Sequence, residues 1–277
     1  MKISLKGVRG SIPTTGADTA TYGGNTSCAV VTENGWVLIV DAGSGLQKVT
    51  LAECPSKRID ILLTHLHFDH IQGLGFFPAL FDPSMEVHIW GPAGATQSLH
   101  SRLSRYLSPP LFPVLIRDLP CTIMMHDIEN SNIEIGPFKI MSKYVIHPGP
   151  TVGFRIQGAH STFVYLPDHE PALGATGLPT DSKWMSGFDL AQNADLLLHD
   201  AQYTAEEYEA KVGWGHSTME HAVRFGLIAR VRRLLLAHHD PTHTDAVLNN
   251  HFAALQKTMG TPFPYELARE GMEIDLE

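Results

Sequence analysis

The chain has 277 residues, of which 43% are hydrophobic, and a formal net charge of −9 at pH 7. That length and composition suit one α/β domain with a full core, and no apolar run approaches the roughly 18 residues of a membrane span. The acidic balance argues against a broad nucleic-acid surface, which needs clustered Lys and Arg to displace counterions. A small anionic substrate stays open, because bound metals invert the local field.

The N-terminal stretch from Met1 to Gly7 lacks a signal-peptide core, so the expected location is cytoplasmic. Cys28, Cys54 and Cys121 are odd in number and widely spaced. They offer neither a disulfide framework nor a Cys-x-x-Cys knuckle, and they read as reduced, buried thiols. No low-complexity tract, charge run or Gly/Ser linker divides the chain, which reads as a single domain over 1–277.

The first clear element is a strand, Trp36-Val37-Leu38-Ile39-Val40, ending at Asp41-Ala42-Gly43. Gly43 and Gly45 predict a tight turn there. A second buried strand follows, Ile59-Asp60-Ile61-Leu62-Leu63-Thr64. It runs directly into His65-Leu66-His67-Phe68-Asp69-His70. Imidazole nitrogens and carboxylate oxygens are good ligands for zinc and other first-row divalent metals. Two histidines two apart, then an Asp-His pair, can face two neighbouring ions. A strand end also suits ligands that must be held still. The 16 histidines of the chain, against only 20 Lys plus Arg, fit a metal site without naming its ligands.

The segment from Pro78 to Pro120 is punctuated by proline and apolar, with Ser108-Pro109-Pro110-Leu111-Phe112-Pro113 at its centre. It is suited to cap the core, line a pocket or meet a partner subunit. Three further strand-like runs then echo the first: Thr162–Asp168, Asp195–Asp200 and Arg233–His238. Each is a short apolar run closing on a carboxylate, a His-Asp pair or a histidine. Strands buried on both faces, with chemistry at one end, imply sheets covered by helices. Thr204-x-x-Glu207 and Ser217-x-x-Glu220 match a helix capping box. His216 thus falls just before a predicted helix start, where an anion is favoured. His147, in Val145-Ile146-His147-Pro148-Gly149, is a further candidate ligand.

His65-x-His67-x-Asp69-His70 resembles the signature of the metallo-β-lactamase superfamily, and specifically of its binuclear hydrolases. The resemblance implies a four-layer αββα sandwich with two divalent metals at one edge: zinc, with manganese or iron as alternatives. It assigns one metal to His65, His67 and His147, the other to Asp69, His70 and His238, with Asp168 bridging. His239 competes with its neighbour; His238 is preferred because it occupies the strand end. Asp41 is either a turn former or, as in the superfamily, a buttress for the histidine loop.

His199-Asp200-Ala201-Gln202-Tyr203, followed by Gly215-His216-Ser217-Thr218, is similar to the ribonuclease Z pattern, in which a His-Glu-Ala element precedes a His-Ser-Thr element. By that resemblance His216 is the general acid and Asp200, standing where the family has Glu, orients it. Asp69 joins them in the catalytic set. Gly7–Pro13 and Tyr22–Ser27 also look like bacterial relatives of ribonuclease Z, some of which cleave cyclic nucleotides. His169 is a candidate to line the site. His88, His100, His126, His160, His221, His243 and His251 read as surface or hydrogen-bonded residues.

The expected activity is a binuclear phosphodiesterase in which a hydroxide held between the metals attacks phosphorus and His216 protonates the leaving oxygen. Ribonuclease Z proper carries a long arm between the third-motif His and the bridging Asp. Only 20 residues separate His147 from Asp168 here. The expected substrate is therefore a small phosphodiester such as a 3′,5′-cyclic nucleotide, with nucleic acid less favoured and no membrane partner. The rival readings are a tRNA 3′-end endonuclease, a thioester or lactone hydrolase, and a non-catalytic metal sensor. A homodimer fits the Pro-rich apolar segment.

Overall fold

A computed structural model describes residues 1–172, 178–179 and 181–276. The chain first forms β1 (Lys2–Gly7), β2 (Cys28–Glu33), β3 (Trp36–Val40), β4 (Arg58–Leu62), β5 (Glu86–Pro92) and β6 (Thr122–Ile128). It continues through β7 (Ser131–Ile135), β8 (Phe138–Tyr144), β9 (Val152–Gln157) and β10 (Thr162–Leu166). The last strands are β11 (Leu196–Asp200), β12 (Leu234–Ala237), β13 (Tyr265–Leu267) and β14 (Glu273–Asp275). Two seven-stranded sheets result, in the orders β14-β1-β2-β3-β4-β5-β6 and β13-β12-β11-β10-β9-β8-β7. Each is antiparallel in one half; β3 to β6 and β10 to β13 are parallel.

Strand alternation sorts the apolar residues into layers. In β3, Val37 and Ile39 face an outer cluster, whereas Leu38 and Val40 face the second sheet. In β10, Phe163 and Tyr165 point inward, and Val164 and Leu166 point outward. Both sheets bury both faces, which is why their strands are continuous apolar runs rather than alternating ones.

The helices are α1 (Phe68–Ile71), α2 (Leu99–Leu103), α3 (Phe188–Ala191), α4 (Ala205–Glu209), α5 (Met219–Ala229) and α6 (Asp245–Thr258). Ile71, Leu99 and Leu103 pack on the outside of the first sheet. Leu190, Val223, Phe225, Leu248 and Leu255 pack on the outside of the second. The architecture is the expected αββα sandwich. Residues of the Pro-rich segment, among them Tyr106, Leu107, Phe112 and Ile116, close the outer core of the first sheet.

Three local expectations are corrected. The strand before the histidine motif ends at Leu62, not Thr64, and Leu63 and Thr64 begin the loop. Ser217 does not cap α5: Thr218 does, accepting from the amide of His221, while the Ser217 hydroxyl donates to the His169 carbonyl at 2.6 Å. The Thr204–Glu207 box does form and starts α4. At the turn after β3, the left-handed residue is Asp41 (φ 59) rather than a glycine. Gly43 is needed instead for close approach, since a Cβ there would lie 2.2 Å from the Asp69 carbonyl oxygen.

Candidate metal centre

The carboxyl ends of the parallel strands meet at one edge of the sandwich, where open α/β sheets place their ligands. β3 delivers Asp41, and the loop after β4 delivers Thr64 to His70. β10 delivers Asp168, β11 ends on Asp200, and β12 is followed at once by His238. Asp41 and His238 both have left-handed backbones, with φ of 59 and 60. Such conformations cost about 1 kcal/mol or more in a non-glycine residue and persist where the surroundings hold them. Both turn a side chain into the site.

Four groups of candidate ligand atoms each lie within 4.8 Å of one another: His65 with His67 and His147, Asp69 with His70, Asp168 and His238, and two that include His216, one with His147 and Asp168 and one with Asp200 and His238. Asp168 stands between the first two. Its Oδ1 is 3.8 Å from His65 Nε2, 3.7 Å from His147 Nε2 and 3.2 Å from His238 Nε2. Its Oδ2 is 3.0 Å from His70 Nε2. Asp69 Oδ2 lies 3.4 Å from the Nε2 atoms of both His70 and His238.

The opposite ring nitrogen of each buried histidine is held by the protein. His65 Nδ1 meets Thr64 Oγ1 at 3.0 Å, His70 Nδ1 meets Asp41 Oδ2 at 2.8 Å, and His147 Nδ1 donates to the Gly215 carbonyl at 2.8 Å. His238 Nδ1 donates to Gln202 Oε1 at 3.2 Å. Such partners fix the tautomer and leave Nε2 free as a candidate ligand atom. Ser11 N donates to Asp69 Oδ2 at 2.8 Å. By contrast, the buried Nε2 atoms of His65, His70 and His238 and Oδ2 of Asp168 face one another and make no well-aligned hydrogen bond among the described residues. Orphaned buried polar atoms are costly. Here they converge on common points, and their chemistry fits divalent cations. The seven expected ligands are thus brought together, as two sets sharing one carboxylate.

Charge at the cluster is strongly perturbed. Burial works against ionisation of Asp168, but the imidazoles of His238, His70 and His65 outweigh it and hold the carboxyl well below its usual range. His147 is pushed down to about 4, mainly by burial. His238 is opposed by burial but pulled up to about 9 by Asp168 and Asp69. Protons thereby do the balancing that bound cations would do.

His216 lies to one side. Its Nδ1 is 2.6 Å from Asp200 Oδ2 and 4.0 Å from Asp168 Oδ1. Asp200 also accepts from the amides of Ser217 and Gln202, at 3.0 and 3.1 Å. The shorter side chain therefore reaches. His239 points away, with Nε2 donating to the Ala268 carbonyl at 2.8 Å. His169 does not line the cluster; it is buried behind it, with Nδ1 2.9 Å from His199 Nε2. His243 is tied to Glu207 and His88 to Glu86 and His126.

Beside His65 and His67 opens a cleft of about 380 Å³. Phe68, Arg102, Arg105, Tyr106 and Leu111 line it, with Pro148 to Pro150 on the far side. Phe68 and Tyr106 meet edge to face, 5.5 Å between ring centroids. The Pro-rich segment thus lines the pocket as well as capping the core. Sequence reasoning missed Ser11, Gln202, Thr64 and Glu170 as supports, because nothing in their spacing separates them from ordinary polar residues.

Residues 36–239 match the family model of the β-lactamase superfamily domain. The chain belongs to the metallo-β-lactamase superfamily. It resembles that superfamily's ribonuclease Z-like branch and is a metal-dependent hydrolase. It is 26% identical over 307 residues to the ribonuclease Z of Gemmatimonas aurantiaca, covering 95% of this chain and 94% of that one. In structure this metallo-β-lactamase-superfamily protein is similar to the metallo-β-lactamase fold protein YhfI of Bacillus subtilis, with a TM-score of 0.71, 21% identity, and 99% and 98% of the two chains covered. It is also similar to a diphosphatase of the PhnP family, with a TM-score of 0.67, 17% identity, and coverage of 99% and 96%. At these identities the structural likenesses show the fold alone. Among the described residues, no helix is long and apolar enough to cross a membrane.

Proposed function

We propose that this hydrolase is a binuclear phosphodiesterase acting on a small phosphodiester, a 3′,5′-cyclic nucleotide being the favoured case. The observation that carries the reading is the 2.6 Å contact between His216 Nδ1 and Asp200 Oδ2, set beside the Asp168 carboxylate. A carboxylate on Nδ1 orients the ring and fixes which nitrogen faces the site. His216 Nε2 has no protein partner among the described residues and is the atom that would hand a proton to a leaving alkoxide.

His65, His67 and His147 would hold one divalent ion and Asp69, His70 and His238 the other, with Asp168 shared. Zinc suits this donor set, and manganese or iron are accepted by the same atoms. What two such ions supply when bound is a water acidified toward neutral pH and positive charge beside the phosphoryl oxygens. The protein's own part is to fix the ligand rings, keep Asp168 ionised between the two sets, and place His216 on the leaving-group side.

Three features favour a small substrate. The interval between His147 and Asp168 is taken up by the β9–β10 hairpin. The cleft beside His67, of about 380 Å³, carries an aromatic pair with Arg105, suited to one nucleobase-sized group. The chain's net charge is −9. The second reading, a tRNA 3′-end endonuclease, is favoured by the near full-length similarity to a protein named ribonuclease Z.

Metal-replete protein should be assayed on bis(p-nitrophenyl) phosphate, a panel of cyclic mononucleotides and a tRNA precursor, at low and moderate salt. Turnover of a cyclic mononucleotide with weak salt dependence is the expected result. Position-specific cleavage of the precursor, steeply weakened by salt and without cyclic-nucleotide turnover, would move the chain to the second reading.

A further inference from the structure

Glu170 is a buried carboxylate to which neither the sequence motifs nor the proposed chemistry gives a role. It lies two residues past Asp168, yet its side chain turns away from the cluster toward the loop that carries His216. Its Oε1 accepts from the Tyr208 hydroxyl at 2.6 Å and from the amide of Gly213 at 3.0 Å. Its Oε2 accepts from the amide of Gly215 at 2.9 Å. Gly213 and Gly215 are both left-handed, with φ of 86 and 85. Glycine tolerates that conformation without strain, and here both N–H groups are turned onto one carboxylate.

The contacts close a ring through His147. Glu170 holds the Gly215 amide, and the Gly215 carbonyl accepts from His147 Nδ1 at 2.8 Å. The amide of Glu170 in turn donates to the carbonyl of Ile146 at 3.0 Å, next to His147. His216 follows Gly215 directly. A Cβ on Gly215 would come within 2.6 Å of His147 Nδ1, so the loop is packed against that histidine with no slack. Three donors on one buried carboxylate make strong, charge-assisted bonds.

We propose that Glu170 is a positioning residue for the reaction: it clamps the Gly213–Gly215 turn so that His216 is presented to the leaving oxygen and His147 to its ligand position. This rests on the reading of His216 as proton donor. The clamp itself can be judged without that reading.

The test is Glu170→Gln, whose amide nitrogen cannot accept from an N–H, compared with Tyr208→Phe, which removes one donor and leaves both glycine bonds. Two measurements are needed. The first is the ratio of turnover on a phosphodiester with an alkyl leaving group to turnover on an aryl diester, at saturating zinc. Glu170→Gln should lower the alkyl rate by about 10–100-fold, the range for losing such an orienting partner, with a smaller loss on the aryl diester. Tyr208→Phe should keep the ratio near wild type. Equal losses on both substrates, as a merely structural defect would give, overturn the positioning role. The second measurement is amide hydrogen exchange at Gly213 and Gly215, which should quicken in Glu170→Gln; unchanged protection overturns the clamp. If the wild type cleaves no phosphodiester at all, the proposed function falls, and the exchange result still decides whether Glu170 holds the loop.

Discussion

The carboxylate of Asp41 sits 2.8 Å from Nδ1 of His70, and neither side chain reaches solvent. The same carboxylate accepts from the amide and the hydroxyl of Thr64, at 2.8 and 3.0 Å. One residue at the end of β3 therefore sets both the start of the histidine loop and the tautomer of a candidate ligand within it. Asp41→Asn should weaken metal affinity by about 10–100-fold, the usual cost of losing such a partner. Calorimetric titration of zinc into the metal-free variant checks this, and unchanged affinity would show that Asp41 is only a turn former.

His238 and His239 are adjacent but face different surroundings. The Nε2 of His238 lies 3.2 Å from Asp168 Oδ1, whereas His239 is bonded to a backbone carbonyl and packs edge-on against Tyr22. His238→Ala should lose about one equivalent of metal per chain; His239→Ala should keep both. Elemental analysis after reconstitution distinguishes them, and the reverse pattern would exchange their roles.

The dyad of His216 and Asp200 makes a kinetic prediction. His216→Ala should retain its metal and lose rate by about 10²–10⁴-fold on an alkyl phosphodiester, the range for general acid catalysis. The loss should be smaller on an aryl diester, whose leaving group needs no proton. Asp200→Asn should show the same substrate dependence to a lesser degree. An equal loss on both substrate classes would argue that His216 binds substrate instead.

His199 supplies a pH dependence of stability. Burial holds its folded-state value at about 4, below the ordinary 6.5. Its Nδ1 donates to the Asp200 carbonyl at 2.7 Å and its Nε2 faces His169 Nδ1, so it is held neutral. Below pH 6.5 the unfolded chain takes up a proton that the folded chain refuses. This contribution is therefore fully present above pH 6.5 and is lost as pH falls from 6.5 toward 4, by on the order of 3 kcal/mol. Denaturant midpoints of the metal-free protein should fall between pH 7 and pH 5. His199→Gln should flatten that slope whatever it does to overall stability, and an unchanged slope would refute the assignment.

The sequence by itself determined several central strands and the loop that carries the first candidate ligands. Trp36–Val40 and the run ending at Leu62 are legible because both faces of each sheet are buried, which demands continuous apolar residues. The histidine motif is legible because a metal demands several donors at short spacing on one loop. His147, Asp168 and His238 were placed by order and resemblance, since each alone is indistinguishable from a hydrogen-bonded core residue. Only the tertiary structure decided what surrounds them. That Asp41 supports His70, that Gln202 rather than a carboxylate meets Nδ1 of His238, and that Thr218 rather than Ser217 caps α5 all depend on where strand ends meet across two sheets. Glu170 is the clearest case. Its three donors come from α4 and the loop beyond, 38 to 45 residues away in sequence. A hydrogen bond is set by distance and direction in space, and no local spacing encodes a contact that folding alone creates.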